Sequence, residues 1–116
     1  SWFVPNLIGR ARANGMGLLG EDISAEQAKN WGLIWDFVED DDLLSKSLEI
    51  AERLANGPID GLKAIVKAHD NALSTSLNEQ LDYERDAQEV LLDKKEFKEG
   101  VSAFVGKRKP NFRDLS

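Results

Sequence analysis

Three four-residue signals constrain this chain most: Ser24-Ala-Glu-Gln27, Ser76-Leu-Asn-Glu79 and Asp93-Lys-Lys-Glu96. Each has the form of a capping box, in which an oxygen-bearing side chain and a Glu or Gln three residues later satisfy backbone N–H groups that a first helical turn leaves free. Such boxes start helices. Stops follow at Gly32, at Asn56-Gly57 and at Gly106. Between the signals, apolar residues recur at helical spacing. Pro5 opens a first helix carrying Ile8, Ala11, Gly15, Leu18 and Leu19, and the Ser24 box opens a second that ends at Gly32. Gly32-Leu-Ile-Trp-Asp-Phe-Val38 is too short and too rich in aromatic and β-branched residues for a helix, so it reads as an extended connector or short strand. Asp40 to Asp42 form a turn and cap before a third helix with Leu44, Leu48, Ala51 and Ala55 on its stripe. Pro58 begins a fourth, with Leu62, Ile65, Val66, His69 and Leu73 on one face. The Ser76 box opens a fifth, and the Asp93 box a sixth through Phe97, Val101 and Phe104. The pattern predicts an all-α fold of about six short amphipathic helices with one short extended connector.

Composition narrows the partners. At 116 residues the chain has room for one domain, and 21 acidic against 15 basic residues give a net charge of −6. Long-range attraction of the whole molecule to nucleic acid or an anionic membrane is therefore not expected. The absence of cysteine removes disulfides and thiolate chemistry, and a single histidine, His69, forbids a multi-histidine metal site. No apolar run reaches the roughly 20 residues that span a bilayer, so a cytoplasmic location is the default expectation. The chain opens Ser-Trp-Phe-Val-Pro with its only methionine at Met16, which reads as an N-terminus that is cut, processed or tagged.

Few side chains suggest chemistry. Glu84 falls among the apolar residues of the fifth predicted helix, where a raised pKa would suit a general base or acid, against the commoner reading of a carboxylate paired with Arg10 or Arg12 or lying at an edge. His69 on an apolar face is a proton-shuttle candidate, but without a nucleophile in a recognisable setting it reads better as a packed, hydrogen-bonded side chain. Lys107-Arg-Lys109 is either a phosphate site or a solvated helix end whose cations suit the macrodipole. Phe104, one turn before Lys107, favours the first, because an aromatic face beside a cation suits an adenine with a nearby phosphate. No P-loop, dinucleotide turn or metal motif occurs.

Three stretches taken together resemble a known family. They are Gly9-Arg-Ala-Arg12 with Leu18-Leu-Gly20 and Ile23-Ser-Ala-Glu-Gln-Ala28; Trp31-Gly-Leu-Ile34; and Glu99-Gly-Val-Ser-Ala-Phe104 with Lys107-Arg-Lys-Pro-Asn-Phe112. In order and spacing they resemble the enoyl-CoA hydratase/isomerase, or crotonase, family over essentially the whole chain. Within it, Ala28-Lys-Asn-Trp-Gly-Leu-Ile-Trp35 and Leu77-Asn-Glu-Gln-Leu-Asp-Tyr-Glu-Arg85 look most like the bacterial phenylacetate-pathway isomerases acting on 1,2-epoxyphenylacetyl-CoA. The resemblance implies the C-terminal helical trimerisation region of a crotonase fold. Residues 1–39 would end the spiral core region, and residues 40–116 would form a helical oligomerisation and CoA-covering region.

In the family an N-terminal spiral supplies the two N–H groups that hold the thioester oxygen, together with the acidic residues that move protons. No catalytic residue is then expected in this segment, and the segment alone should be inactive. Phe104 and Lys107 match the aromatic and lysine that meet the adenosine-phosphate end of CoA. The expected substrate is an acyl-CoA thioester, with no prosthetic group, no metal, no nucleic acid and no membrane. The expected assembly is a homo-oligomer, a trimer or dimer of trimers. At Val66 related chains commonly carry a lysine, and His69 takes a place usually apolar, so the fourth helix departs from the family pattern. The alternative is a stand-alone, non-catalytic helical oligomerisation module.

Overall fold

The computed structural model describes residues 1–115. Its elements are α1 (Phe3–Ile8), α2 (Arg10–Leu19), α3 (Ala25–Trp31), α4 (Leu43–Ala55), α5 (Ile59–Ala72), α6 (Leu77–Leu92) and α7 (Lys95–Val105), with 3-10 turns at Asp40–Asp42 and Arg113–Leu115. Seven α-helices take the place of the expected six or so, and no strand forms among the described residues. Gly9 accounts for the extra helix. Its φ of 81° and ψ of 156° lie where essentially only glycine goes, so the chain breaks between α1 and α2 instead of running on from Pro5. The connector bends at residues 33–35 and runs on without strand pairing to an extended Glu39. Gly32, at φ 79°, closes α3 in the left-handed conformation, and the Gly32 and Leu33 N–H groups donate back to Lys29 O and Ala28 O, each at 2.9 Å.

The chain divides into two compact units, Ser1–Ser47 and Leu48–Ser116. In the first, α1 packs on α2, and Ile8 and Ala28 are buried. Ser24 caps α3 as its sequence predicts, its hydroxyl accepting from Gln27 N at 3.1 Å. The Arg12 guanidinium of α2 lies 5.4 Å from the centre of the Trp31 ring of α3, a cation–π contact. Lys29 pairs with Asp36 at 2.6 Å; this bond and the Phe37 N–H hold the Asp36 carboxyl below the usual carboxylate range.

In the second unit, α6 packs against both α5 and α7. The Ser76 box forms in full: Ser76 N donates to Glu79 Oε2 at 2.8 Å and Glu79 N to Ser76 Oγ at 3.4 Å. Gln80, 9% exposed, ties α6 to α5. Its Nε2 donates to Ala68 O at 3.1 Å and its Oε1 accepts from Asn71 Nδ2 at 3.1 Å and Thr75 Oγ1 at 3.4 Å. This buried amide is well satisfied. The Asp93 box does not form. Lys94 takes the cap position of α7 with no side-chain cap bond, and the Glu96 carboxylate reaches instead to the start of α5. There it accepts from Asp60 N at 3.1 Å and Gly61 N at 3.4 Å, a negative charge on the positive end of that helix. Lys94 reinforces the junction through Asp60, at 3.2 Å.

Little apolar surface is buried. The chain exposes 9707 Å², whereas two separate folded proteins of 47 and 69 residues would together expose about 7600 Å². Leu44, Leu48 and Leu54 of α4, Ile65 and Val66 of α5, and Trp2 and Trp35 in the first unit all face solvent. No residue of α4 is buried.

Candidate functional site

Helix α7 carries the predicted site at its C-terminal end. Phe104 is 86% exposed, one turn before an exposed Lys107. The helix ends in a Schellman turn: Lys107 N donates to Phe104 O at 3.2 Å and Arg108 N to Ala103 O at 3.0 Å. The helix stops at Gly106 as the sequence predicts; Gly106 itself stays right-handed at φ −77°, and Lys107 takes the left-handed position at φ 48°. A Cβ on residue 106 would meet Ser102 O at 3.1 Å, so glycine there serves close approach, not a positive φ.

The chain beyond this turn is clamped back onto α7. Arg108 Nη1 and Nη2 donate to Glu99 Oε1 and Oε2 at 2.6 and 2.9 Å, and Nη2 also donates to Ser102 Oγ at 3.1 Å. Glu99 Oε1 accepts a further bond from Asn111 N at 2.7 Å. Arg108 and the Asn111 N–H together pull the Glu99 carboxyl down to about 2. Glu99, Ser102 and Asn111 are missed by residue-by-residue sequence reasoning, and Arg108, read there as part of a phosphate site or a solvated helix end, pairs with Glu99. Glu99 and Arg108 are nine residues apart across a helix stop, where no helical spacing rule pairs them.

Beside Phe104 runs an apolar cleft of about 560 Å³, lined among others by Pro58, Leu91, Phe97, Val101 and Phe112. Phe104 therefore joins an apolar wall on one side to the open cationic turn on the other. The remaining sequence candidates lie elsewhere. His69 is exposed, not packed as its face predicts, because Ile65 and Val66 of α5 and Leu73 at its end lie exposed too. Glu84 is exposed on α6 and accepts from Gln80 Nε2 at 3.2 Å. Among the described residues no three of His, Asp and Glu gather to hold a metal ion, and no helix is long and apolar enough to cross a membrane.

The sequence pattern of the enoyl-CoA hydratase/isomerase family matches residues 1–115. The 1,2-epoxyphenylacetyl-CoA isomerase of Escherichia coli is 45% identical over 112 residues, 97% of this chain and 43% of the relative. A probable enoyl-CoA hydratase of Rhodobacter capsulatus is 42% identical over 112 residues, 97% of this chain and 44% of that protein. Among solved structures, a Mycobacterium abscessus protein described as an enoyl-CoA hydratase/isomerase superposes with a TM-score of 0.89 at 33% identity, covering 94% of this chain and 42% of its own. The chain thus spans less than half the length of the relatives it matches. One expectation is corrected here: the relatives place the matched stretch at the start of the crotonase fold, not in its C-terminal helical trimerisation region. Local motif order identifies a family through side-chain spacing but carries no marker of position along a parent fold. On the match across residues 1–115 and on the 45% identity, the chain belongs to the enoyl-CoA hydratase/isomerase family.

Proposed function

We propose that this chain serves an enzyme acting on acyl-CoA thioesters, and that 1,2-epoxyphenylacetyl-CoA is its substrate. The observation that carries the finer reading is the 45% identity to an isomerase of that name over nearly the whole chain. In this reading residues 1–39 adjoin the catalytic core and residues 40–116 cover the CoA and mediate association of subunits. The exposed apolar faces of α4 and α5 support the association.

Phe104 and Lys107 hold the nucleotide end of CoA, the ring by stacking on adenine and the ammonium by charge on a phosphate. Both are free to do so: one turn apart, exposed, and at a helix end where the backbone reverses. Their part is contact with the CoA carrier, and neither proton transfer nor thioester polarisation is assigned to them. What these residues supply is uniform binding, equal in ground and transition state, which sets KM and leaves kcat alone.

The test is substrate competition in the whole enzyme carrying this chain. The expected result is a kcat/KM for 1,2-epoxyphenylacetyl-CoA isomerisation well above that for hydration of crotonyl-CoA. A preference for hydration would replace the isomerase reading with a hydratase one. The isolated 116 residues should turn over neither substrate above a buffer blank.

A further inference from the structure

Lys107 is the one non-glycine residue with positive φ among the described residues. A left-handed backbone is unfavourable for an L-residue, and glycine is the ordinary occupant of the place just past a helix end. A lysine held there implies two things: the surroundings over-determine the conformation, and the side chain is worth keeping. The surroundings are visible. Arg108, the next residue, is fixed at its N–H by Ala103 O and at its guanidinium by both oxygens of Glu99 and by Ser102 Oγ. Arg108 Nη1 also donates to Lys109 O at 3.2 Å. Asn111, three residues on, is tied through its N–H to the same Glu99 and through Nδ2 to Asp114 Oδ2 at 2.6 Å. Ala103, which receives the Arg108 N–H, is 2% exposed, so the anchor at the helix end is itself buried. One carboxylate thus closes a loop from residue 99 to residue 111 with Lys107 at its outer bend.

We propose that Glu99 and Arg108 are positioning residues that lock this turn and thereby aim Lys107 at the anionic end of the substrate. The assignment rests on the nucleotide contact of Phe104 and Lys107 proposed above. The bidentate pair is planar and directional, so it fixes the orientation of the turn and not merely its proximity to α7. A lysine has four rotatable side-chain bonds. Fixing its backbone removes part of the entropy otherwise lost when it meets a phosphate.

The experiment is a set of steady-state measurements on the whole enzyme, with acyl-CoA and with the same acyl group on pantetheine, which lacks the nucleotide. Lys107→Ala, Glu99→Gln, Arg108→Ala and the Glu99→Gln/Lys107→Ala double variant are compared. Each single change is expected to raise KM for acyl-CoA about three- to five-fold, with kcat held and the pantetheine KM unmoved. The double variant should match Lys107→Ala alone, because Glu99 acts through Lys107. If Lys107→Ala raises KM and Glu99→Gln leaves it flat, the clamp has no part in binding and this proposal is overturned. It is equally overturned if the two effects multiply, or if Glu99→Gln moves both substrates together, which would mark a role in folding alone. A flat KM for Lys107→Ala itself would instead remove the nucleotide contact, and the positioning role would fall with it.

Discussion

Helices α4 and α6 look alike in sequence, each amphipathic and more than three turns long, yet they end in different situations. Helix α6 has Gln80 buried against Ala68, Asn71 and Thr75, so its inward face is specified by bonds as well as by apolar pattern. Helix α4 has the clearer apolar stripe and buries nothing. An apolar stripe states that a face needs a cover, whereas a buried, satisfied polar group states which cover it has. The first is non-directional and any apolar surface meets it; the second is met only by a partner with the right donors at the right places.

The largest effect expected from this contrast is association. With Leu44 71% and Leu48 60% exposed on one side of α4, the isolated chain should sediment as an oligomer, and Leu44→Glu/Leu48→Glu should shift it strongly toward monomer. Analytical ultracentrifugation over a hundred-fold range of concentration reads this directly. A wild-type chain that stays monomeric throughout would show that α4 needs no cover, and the contrast with α6 would lose its meaning.

Next in size is the polar tie itself. Gln80→Ala removes the second bond to the Ala68 carbonyl and the partner of the Asn71 amide, at a cost of about 1–2 kcal/mol. Amide exchange across α5 and α6 should accelerate about ten-fold or more while amides of α1 and α2 keep their rates. Uniform acceleration along the chain would mean that Gln80 serves general stability and does not specify this face.

The clamp at the end of α7 gives a smaller, pH-resolved effect. Glu99 has a folded value of about 2 against an ordinary 4.5, lowered first by the Arg108 bond and then by the Asn111 N–H. A depressed carboxylate contributes stability that is complete above its unfolded value and disappears as pH falls toward its folded value. The turn should therefore hold above about pH 5 and loosen progressively between pH 4.5 and pH 2. NMR shifts of the Lys107 and Asn111 amides would follow it, and Glu99→Gln should make them insensitive to acid over that range. Amides that titrate unchanged in Glu99→Gln would assign the transition to another group.

These contrasts explain how much the sequence disclosed. Helix starts whose partners lie three residues away were legible, and Ser24 and Ser76 cap as their spacing dictates. Stops with a glycine just past the stripe were legible at Gly32 and Gly57. Gly9 misled because glycine is tolerated inside a helical pattern, and only its backbone angles show a break. His69 misled because its face lies open. At the candidate site, Phe104, Lys107 and the helix stop at Gly106 are legible from the pattern at the end of α7, but the left-handed turn at Lys107 is not. The clamp behind it joins positions that no local rule connects. Asp93-Lys-Lys-Glu96 failed for the same reason, since a carboxylate with a choice of N–H donors goes to the better set wherever the fold puts it.

That failed box yields the finest test, a pair of substitutions that any local reading would rank alike. If Glu96 capped its own helix with Asp93, then Asp93→Ala and Glu96→Ala should both fray α7. In the fold, Glu96 accepts from Asp60 N and Gly61 N, about 35 residues away in sequence. Glu96→Ala should therefore expose the first turn of α5, costing about 1 kcal/mol as the loss of a charged cap. That corresponds to roughly five-fold faster exchange at the Asp60 and Gly61 amides, with the first turn of α7 unaffected. Asp93 makes no cap bond to α7, and Asp93→Ala should stay within about 0.5 kcal/mol of wild type. Ser76→Ala, which removes a box that does form, should cost about 1 kcal/mol at the start of α6 and calibrates the scale. Equal exchange at Asp60 and Gly61 in Asp93→Ala and Glu96→Ala would return the carboxylate to its own helix and leave the start of α5 without the cap described here.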